Sequence, residues 1–185
     1  MNIRKIFYFL KSRFFDQKKF IYLSLNSKDF KYSLVKSDGN LEVLLAKEEN
    51  KTEIIKDLYP YFDQDQEYFK QFLNFDREDI LCYLGKRNDK IVHYFLVFTK
   101  AMESPLTKTK FRNYLGSFPN SAYLGNVFTI PKERGSWIVL QVLSKIIKDL
   151  QDIHGITRLL VLIHPDTRGA LKFYERLGFQ VINFK

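Results

Sequence analysis

The chain has 185 residues, 45% hydrophobic and 28% charged, with a net charge of +9. That length and composition suit one globular domain with a sizeable core and exclude a disordered chain. Its single cysteine, Cys82, excludes an internal disulfide, so a reducing compartment, the cytoplasm, is the expected location.

The charge is uneven. Residues 1–36 hold nine Lys or Arg against two acids, a local charge of +7. The remaining body is nearly neutral, so the N-terminal arm is the part suited to an anionic membrane or an acidic partner. No stretch is long and apolar enough to span a bilayer. The apolar run at residues 6–10 is too short for a signal-peptide core.

Within residues 3–15, Ile3, Ile6, Phe7, Leu10 and Phe14 share one helical stripe, with Arg4, Lys5 and Lys11 off it. Two readings follow. The helix packs on the domain with its charges in water, or residues 1–16 rest peripherally on a membrane. Residues 19–25 read as a strand. Residues 30–36 and 41–46 read as a hairpin around the Asp38-Gly39 turn. Helical patterns over residues 52–58 and 65–75 follow, separated by Pro60.

Residues 79–85 and 91–99 are β-branched and aromatic runs joined by a polar turn, a second hairpin. Cys82 lies inside the first and reads as a buried small hydrophobe. The polar stretch 100–118, with a short helix over 107–115, reads as a substrate-side insertion. Residues 121–130 form a strand. Residues 135–151 form the longest helix, with Val139, Val142, Leu143, Ile146, Ile147 and Leu150 at i, i+3, i+4 spacing. Residues 158–164 are a continuous apolar run, typical of a strand buried on both faces. Thr167 or Asp166 can cap a helix that runs to Leu177, Gly178 suits a left-handed stop, and residues 179–184 are a last strand.

A strand, a turn and a long helix make an anion site, because the first helical turn leaves backbone N–H groups free with the helix dipole behind them. Here the turn offers Arg134, Gly135 and Ser136. His93, His154, His164 and Cys82 lack metal-ligand spacing, so no metal is expected. No phosphate-binding Walker loop or RNA-binding aromatic signature occurs, so nucleic acid is not an expected partner.

Two motifs carry a family resemblance. The first is Arg134-Gly135-Ser136-Trp137-Ile138-Val139. The second is Thr167-Arg168-Gly169-Ala170-Leu171-Lys172-Phe173-Tyr174-Glu175-Arg176-Leu177-Gly178-Phe179. Together they resemble the GNAT N-acetyltransferase superfamily, over residues 41–185 in element order and most closely over 121–184. A basic N-terminal helix, two leading strands and residues 123–131 are similar to the branch found with bacterial surface-polysaccharide enzymes.

The resemblance implies an α/β (α+β) fold. A central mixed, mostly antiparallel sheet is flanked by helices, with the basic N-terminal helix and extra strands added. Residues 1–40 would be an extension packed on a single acyltransferase domain, 41–185. It implies acetyl-CoA as co-substrate, held by Phe128, Thr129, Arg134, Gly135, Ser136, Trp137, Ile138, Val139, Thr167, Ala170 and Phe173. Tyr174 would be the acid that reprotonates the CoA thiolate; a phenol stays protonated at neutral pH. Tyr123 and Asn126 would face the acceptor, a small-molecule primary amine of amino-sugar type, attacking directly. Asn126 and Thr129 would orient a water; His93 and Glu103 are distant candidates for the base. A homodimer is a candidate assembly. Trp137 and Val139 occupy positions the family fills with small residues, and Thr167 replaces an Asn. They support the alternative of a catalytically degenerate fold used as a binding or regulatory module, including at a membrane surface.

Overall fold

A computed structural model describes residues 20–36, 39–62, 78–165 and 167–183. The helices expected over 3–15 and 65–75 lie outside these residues. Seven strands form one sheet: β1 (Ile21–Asn26), β2 (Leu41–Leu45), β3 (Ile80–Arg87), β4 (Lys90–Phe98), β5 (Ser121–Thr129), β6 (Arg158–Ile163) and β7 (Gln180–Val181). Among the described residues three helices accompany them: α1 (Lys51–Leu58), α2 (Ile138–Asp152) and α3 (Arg168–Arg176). The spatial order is β2-β3-β4-β5-β6-β1-β7. Every neighbouring pair is antiparallel except β5 and β6. The mixed, mostly antiparallel sheet flanked by helices is therefore present.

Strand alternation divides the side chains between two faces. Leu23, Leu25, Tyr83, Phe95, Val97, Leu159 and Val161 point to the face covered by α2, whose Val142, Leu143, Ile146, Ile147 and Leu150 are buried there. Cys82, Leu84, Tyr94 and Leu96 point the other way, onto Ile54 and Leu58 of α1. Further along that second face, Tyr22 and Leu160 pack against Leu106, Phe111 and Leu115. Burial pushes the Cys82 thiol up to about 12, so it stays an unreactive packing group.

The N-terminal strand is part of the sheet. β1 lies between β6 and β7, six residues in antiparallel register with β6. Residues after it do not form the strand expected over 30–36. They make two short 3-10 turns, Ser27–Asp29 and Tyr32–Leu34, while β2 pairs with β3. Phe30 is the reason: its ring is buried in the core, and the Lys31 N–H donates to Leu177 O at the end of α3. The segment is a strap across the protein rather than half of a hairpin.

Residues 101–117 also depart from expectation. They fold as three 3-10 turns because Ser104 and Thr109 interrupt the run, each accepting a hydrogen bond from the backbone two residues on. The last strand is shorter than its apolar pattern suggests, two residues only.

Candidate active site

β5 keeps its antiparallel pairing with β4 as far as Thr129, opposite His93. Its parallel pairing with β6 covers residues 121–124 only. Between the two registers β5 carries a bulge: Gly125 and Asn126 together oppose Leu96. Gly125 is required there, because a Cβ would sit 2.9 Å from the Phe98 ring. The bulge lets β5 turn from β6 while following β4, and a wedge opens between β5 and β6.

The wedge continues as a cleft. Val127, Phe128, Thr129, Arg134, Val139, Ala170, Phe173 and Tyr174 line a cavity of about 400 Å³ at its inner end. A cavity of about 590 Å³ shares Val139 and Phe173 and continues outward past Gly135, Ser136, Trp137, Lys172 and Arg176 to Leu34. The two motifs, separated by residues 140–166 in sequence, thus face each other.

The loop before α2 is held by its own side chains. The Arg134 Nε donates to Thr129 O at 3.1 Å, and its guanidinium lies 5.8 Å from the Phe128 ring centroid. The Ser136 hydroxyl donates to Glu133 O at 2.6 Å, and Glu133 is ion-paired with Arg87 of β3. Gly135 has φ +80, and a Cβ there would meet nothing within 4 Å. The glycine is needed for its dihedral, not for room.

These constraints move the helix start from the expected Gly135 to Ile138. The Gln141 N–H is bonded to Trp137 O, which leaves the preceding amides of the first turn pointing outward. Trp137 is the N-cap with φ −77, an ordinary value for a side-chain-bearing residue. The left-handed geometry thus falls on Gly135, and the Trp137 side chain is 44% exposed beside the outer cavity. Val139 borders both cavities, while Ile138 is buried beneath them near Gly85.

Tyr174 is 6% exposed and packs edge-on against Phe173 and Phe179 at 5.2 and 5.0 Å. Burial, with the Tyr123 phenol as a second cause, holds its pKa above the usual 10. Tyr174 belongs to the α2 face and Tyr123 to the opposite face. Tyr174 lines the inner cavity together with Val127, Phe128 and Thr129 of β5, which puts it at the base of the wedge.

Thr167 is the N-cap of α3, and its hydroxyl donates to His164 O at 2.5 Å. Neither cavity is lined by Thr167, Tyr123 or Asn126. Glu103 borders a different cavity, with Asn120, Ser121 and His154 at the opposite end of β5. His93 is wholly buried, its Nδ1 hydrogen-bonded to the Thr129 hydroxyl at 2.8 Å, and burial lowers its pKa to about 3. Sequence reasoning missed Leu34, Lys172 and Arg176 as cleft residues. The i, i+4 spacing of Lys172 and Arg176 was the available signal for two of them.

The residues fit an anionic, phosphate-bearing ligand. Helix amides, the α2 dipole, Lys172 and Arg176 converge on the outer cavity, and no carboxylate among the described residues lines it. Among the described residues no group of three His, Cys, Asp or Glu could hold a metal, and no helix is long and apolar enough to cross a membrane.

The sequence profile of the acetyltransferase (GNAT) family matches residues 48–179. The chain belongs to that family. As a GNAT protein it is a CoA-dependent N-acetyltransferase with acetyl-CoA as its co-substrate. No curated protein sequence matches it. Among solved structures it is similar to an aminoglycoside acetyltransferase from an uncultured soil metagenomic sample, at 15% identity and a TM-score of 0.55, over 81% of this chain and 97% of that one. It is also similar to a ribosomal-protein-alanine N-acetyltransferase from Brucella melitensis biovar Abortus 2308, at 13% identity and a TM-score of 0.52, over 78% and 99%. A functionally unknown protein from Staphylococcus epidermidis ATCC 12228 gives a TM-score of 0.62 at 10% identity. That match covers 88% of this GNAT chain but spans only 57% of the Staphylococcus protein.

Proposed function

We propose that this chain transfers the acetyl group of acetyl-CoA to the primary amine of a small amino sugar, by direct attack of the neutral amine. The observation that carries this reading is the wedge itself. One buried phenol, Tyr174, sits at its base, and a helix N-terminus with two cations lies along the path outward.

Acetyl-CoA supplies an activated acyl carbon and a sulfur leaving group. The first-turn amides of α2, with Gly135 and Ser136, bind its phosphates. Backbone N–H groups of β5 beyond Leu124, where β6 has turned away, receive the acyl oxygen as negative charge develops on it. The amine nitrogen bonds to the acyl carbon, the carbon–sulfur bond breaks, and the Tyr174 hydroxyl gives its proton to the sulfur. The amine's proton leaves to a water held beside Thr129, which lines the inner cavity, and Tyr174 recovers its proton from solvent.

The amino-sugar assignment is supported by the sheet face opposite α2. Phe62 and Tyr94 lie 4.6 and 6.0 Å from the Phe128 ring centroid, and Tyr61, half-exposed, lies 6.1 Å from it. Phe128 also lines the inner cavity, so this aromatic wall adjoins the acyl end of the cleft. Tyr94 is buried beneath this wall, and the half-exposed Tyr61 offers an aromatic face with a hydroxyl tip, which suits a sugar ring with its apolar face and polar edges.

The test is a thermal-shift titration with acetyl-CoA, followed by thiol-release assays with amino sugars, polyamines and peptide N-termini. Acetyl-CoA at about 100 times its Kd should stabilise the fold by about 2.7 kcal/mol. Thiol release should then be fastest with amino sugars. A faster reaction with peptides would reject the acceptor class. A shift with no release from any amine would establish the degenerate binding module instead.

A further inference from the structure

The strap after β1 brings a third wall to the cleft that neither motif supplies. Leu34 lines the outer cavity, and the Lys36 Nζ lies 4.9 Å from the Trp137 ring centroid. The strap is fixed at both ends. The Lys31 N–H donates to Leu177 O at 3.3 Å, and the Gln141 Nε2 donates to Lys36 O at 2.5 Å. Asp29 O packs against Gly178, where an added Cβ would lie only 2.6 Å away. These contacts tie the strap to both helices that flank the cleft.

Trp137 has the wrong character for a simple surface residue. It is 44% exposed with an ordinary backbone, and it stands at the cavity mouth with Lys36 over one face. Lys172 and Arg176 lie one helical turn apart on α3 and border the same cavity. An open indole beside three cations matches a purine carrying a phosphate.

We propose that Trp137, Leu34, Lys36, Lys172 and Arg176 form a nucleotide subsite at the outer end of the cleft. In it the adenine of CoA stacks on the Trp137 indole, and its ribose 3′-phosphate is held by the Lys36, Lys172 and Arg176 cations. This rests on the acetyl-CoA reading above and adds to it a role for the side chain of Trp137 and for the strap. The residue that breaks the small-residue pattern of the loop becomes the base platform.

Trp137 is the only tryptophan in the chain, so its fluorescence reports the subsite directly. CoA, 3′-dephospho-CoA and pantetheine are titrated into the protein, with calorimetry as an independent measure of affinity. CoA and dephospho-CoA should quench Trp137, and pantetheine should not. CoA should bind about tenfold more tightly than dephospho-CoA, a preference that Lys36→Gln and Lys172→Gln each reduce. Trp137→Ala should weaken both nucleotides by about tenfold in calorimetry, as loss of a base-stacking platform does. Equal affinity for the two nucleotides, or unchanged affinity in Trp137→Ala, overturns the subsite while leaving CoA binding intact. No binding of any CoA species overturns both the subsite and the reading beneath it.

Discussion

Gly178 and Asp29 are in backbone contact: a Cβ on Gly178 would stand 2.6 Å from the Asp29 carbonyl oxygen. Gly178 also has φ +104. One glycine therefore answers two demands, a left-handed stop after α3 and the close passage of the strap. Gly178→Ala should cost about 2–3 kcal/mol, the strain of positive φ plus displacement of the strap. Urea denaturation checks the loss. A change below about 0.5 kcal/mol would show that the strap gives way freely.

Tyr174→Phe removes the proposed proton donor and leaves the ring packing in place. The expected result is a kcat at least about 100-fold lower with little change in the KM for acetyl-CoA. Because burial holds the pKa above 10, no loss of rate from Tyr174 ionisation should appear between pH 7 and 9. A variant with wild-type kcat would remove Tyr174 from the acid role.

His93 gives a pH signature in stability. Burial keeps it neutral in the folded protein down to a pKa of about 3, against 6.5 when unfolded. As pH falls below 6.5 the unfolded chain takes up a proton that the folded chain refuses, so stability falls toward pH 3. At about 1.4 kcal/mol per pH unit the loss is roughly 4 kcal/mol. His93→Gln, which cannot titrate, should flatten that part of the profile. Parallel profiles of wild type and variant, from chemical denaturation at each pH, would contradict it.

Tyr83 donates to Asp149 at 3.2 Å, and Lys145 pairs with the same carboxylate at 2.5 Å. Tyr83→Phe should cost about 1–2 kcal/mol, since the carboxylate keeps Lys145 but loses its buried donor. Thermal melting checks this, and no change in Tm would mean water replaces the phenol.

Much of the cleft was legible because its chemistry is local. A turn with glycine before an apolar helix sets the amides, and the Phe173-Tyr174 and Leu177-Gly178-Phe179 pairings set α3 and its stop. Tyr174 is buried in the helix where that pattern puts it, whereas Gly135, with φ +80, belongs to the turn and not to the helix it was expected to open. What the sequence hid is long-range. Nothing near Leu34 or Lys36 announces that they meet Trp137 a hundred residues later. Phe30 misled in a specific way: an aromatic in an extended run reads as a strand, yet its burial against α3 bends the chain into 3-10 turns. The bulge at Gly125 and Asn126 was equally hidden, because it exists only relative to Leu96 on another strand.

The position of β1 also has a consequence for synthesis. Residues 21–26 are made before β2 to β5, but their partner β6 spans residues 158–163. β1 must wait for β6 to follow, an expensive loop to close and a cause of slow folding. Until then an apolar strand has no neighbours and is open to association with other chains. Deleting residues 1–26 would not trim an appendage; it would strip β6 of one partner and leave β7 without any strand to pair with.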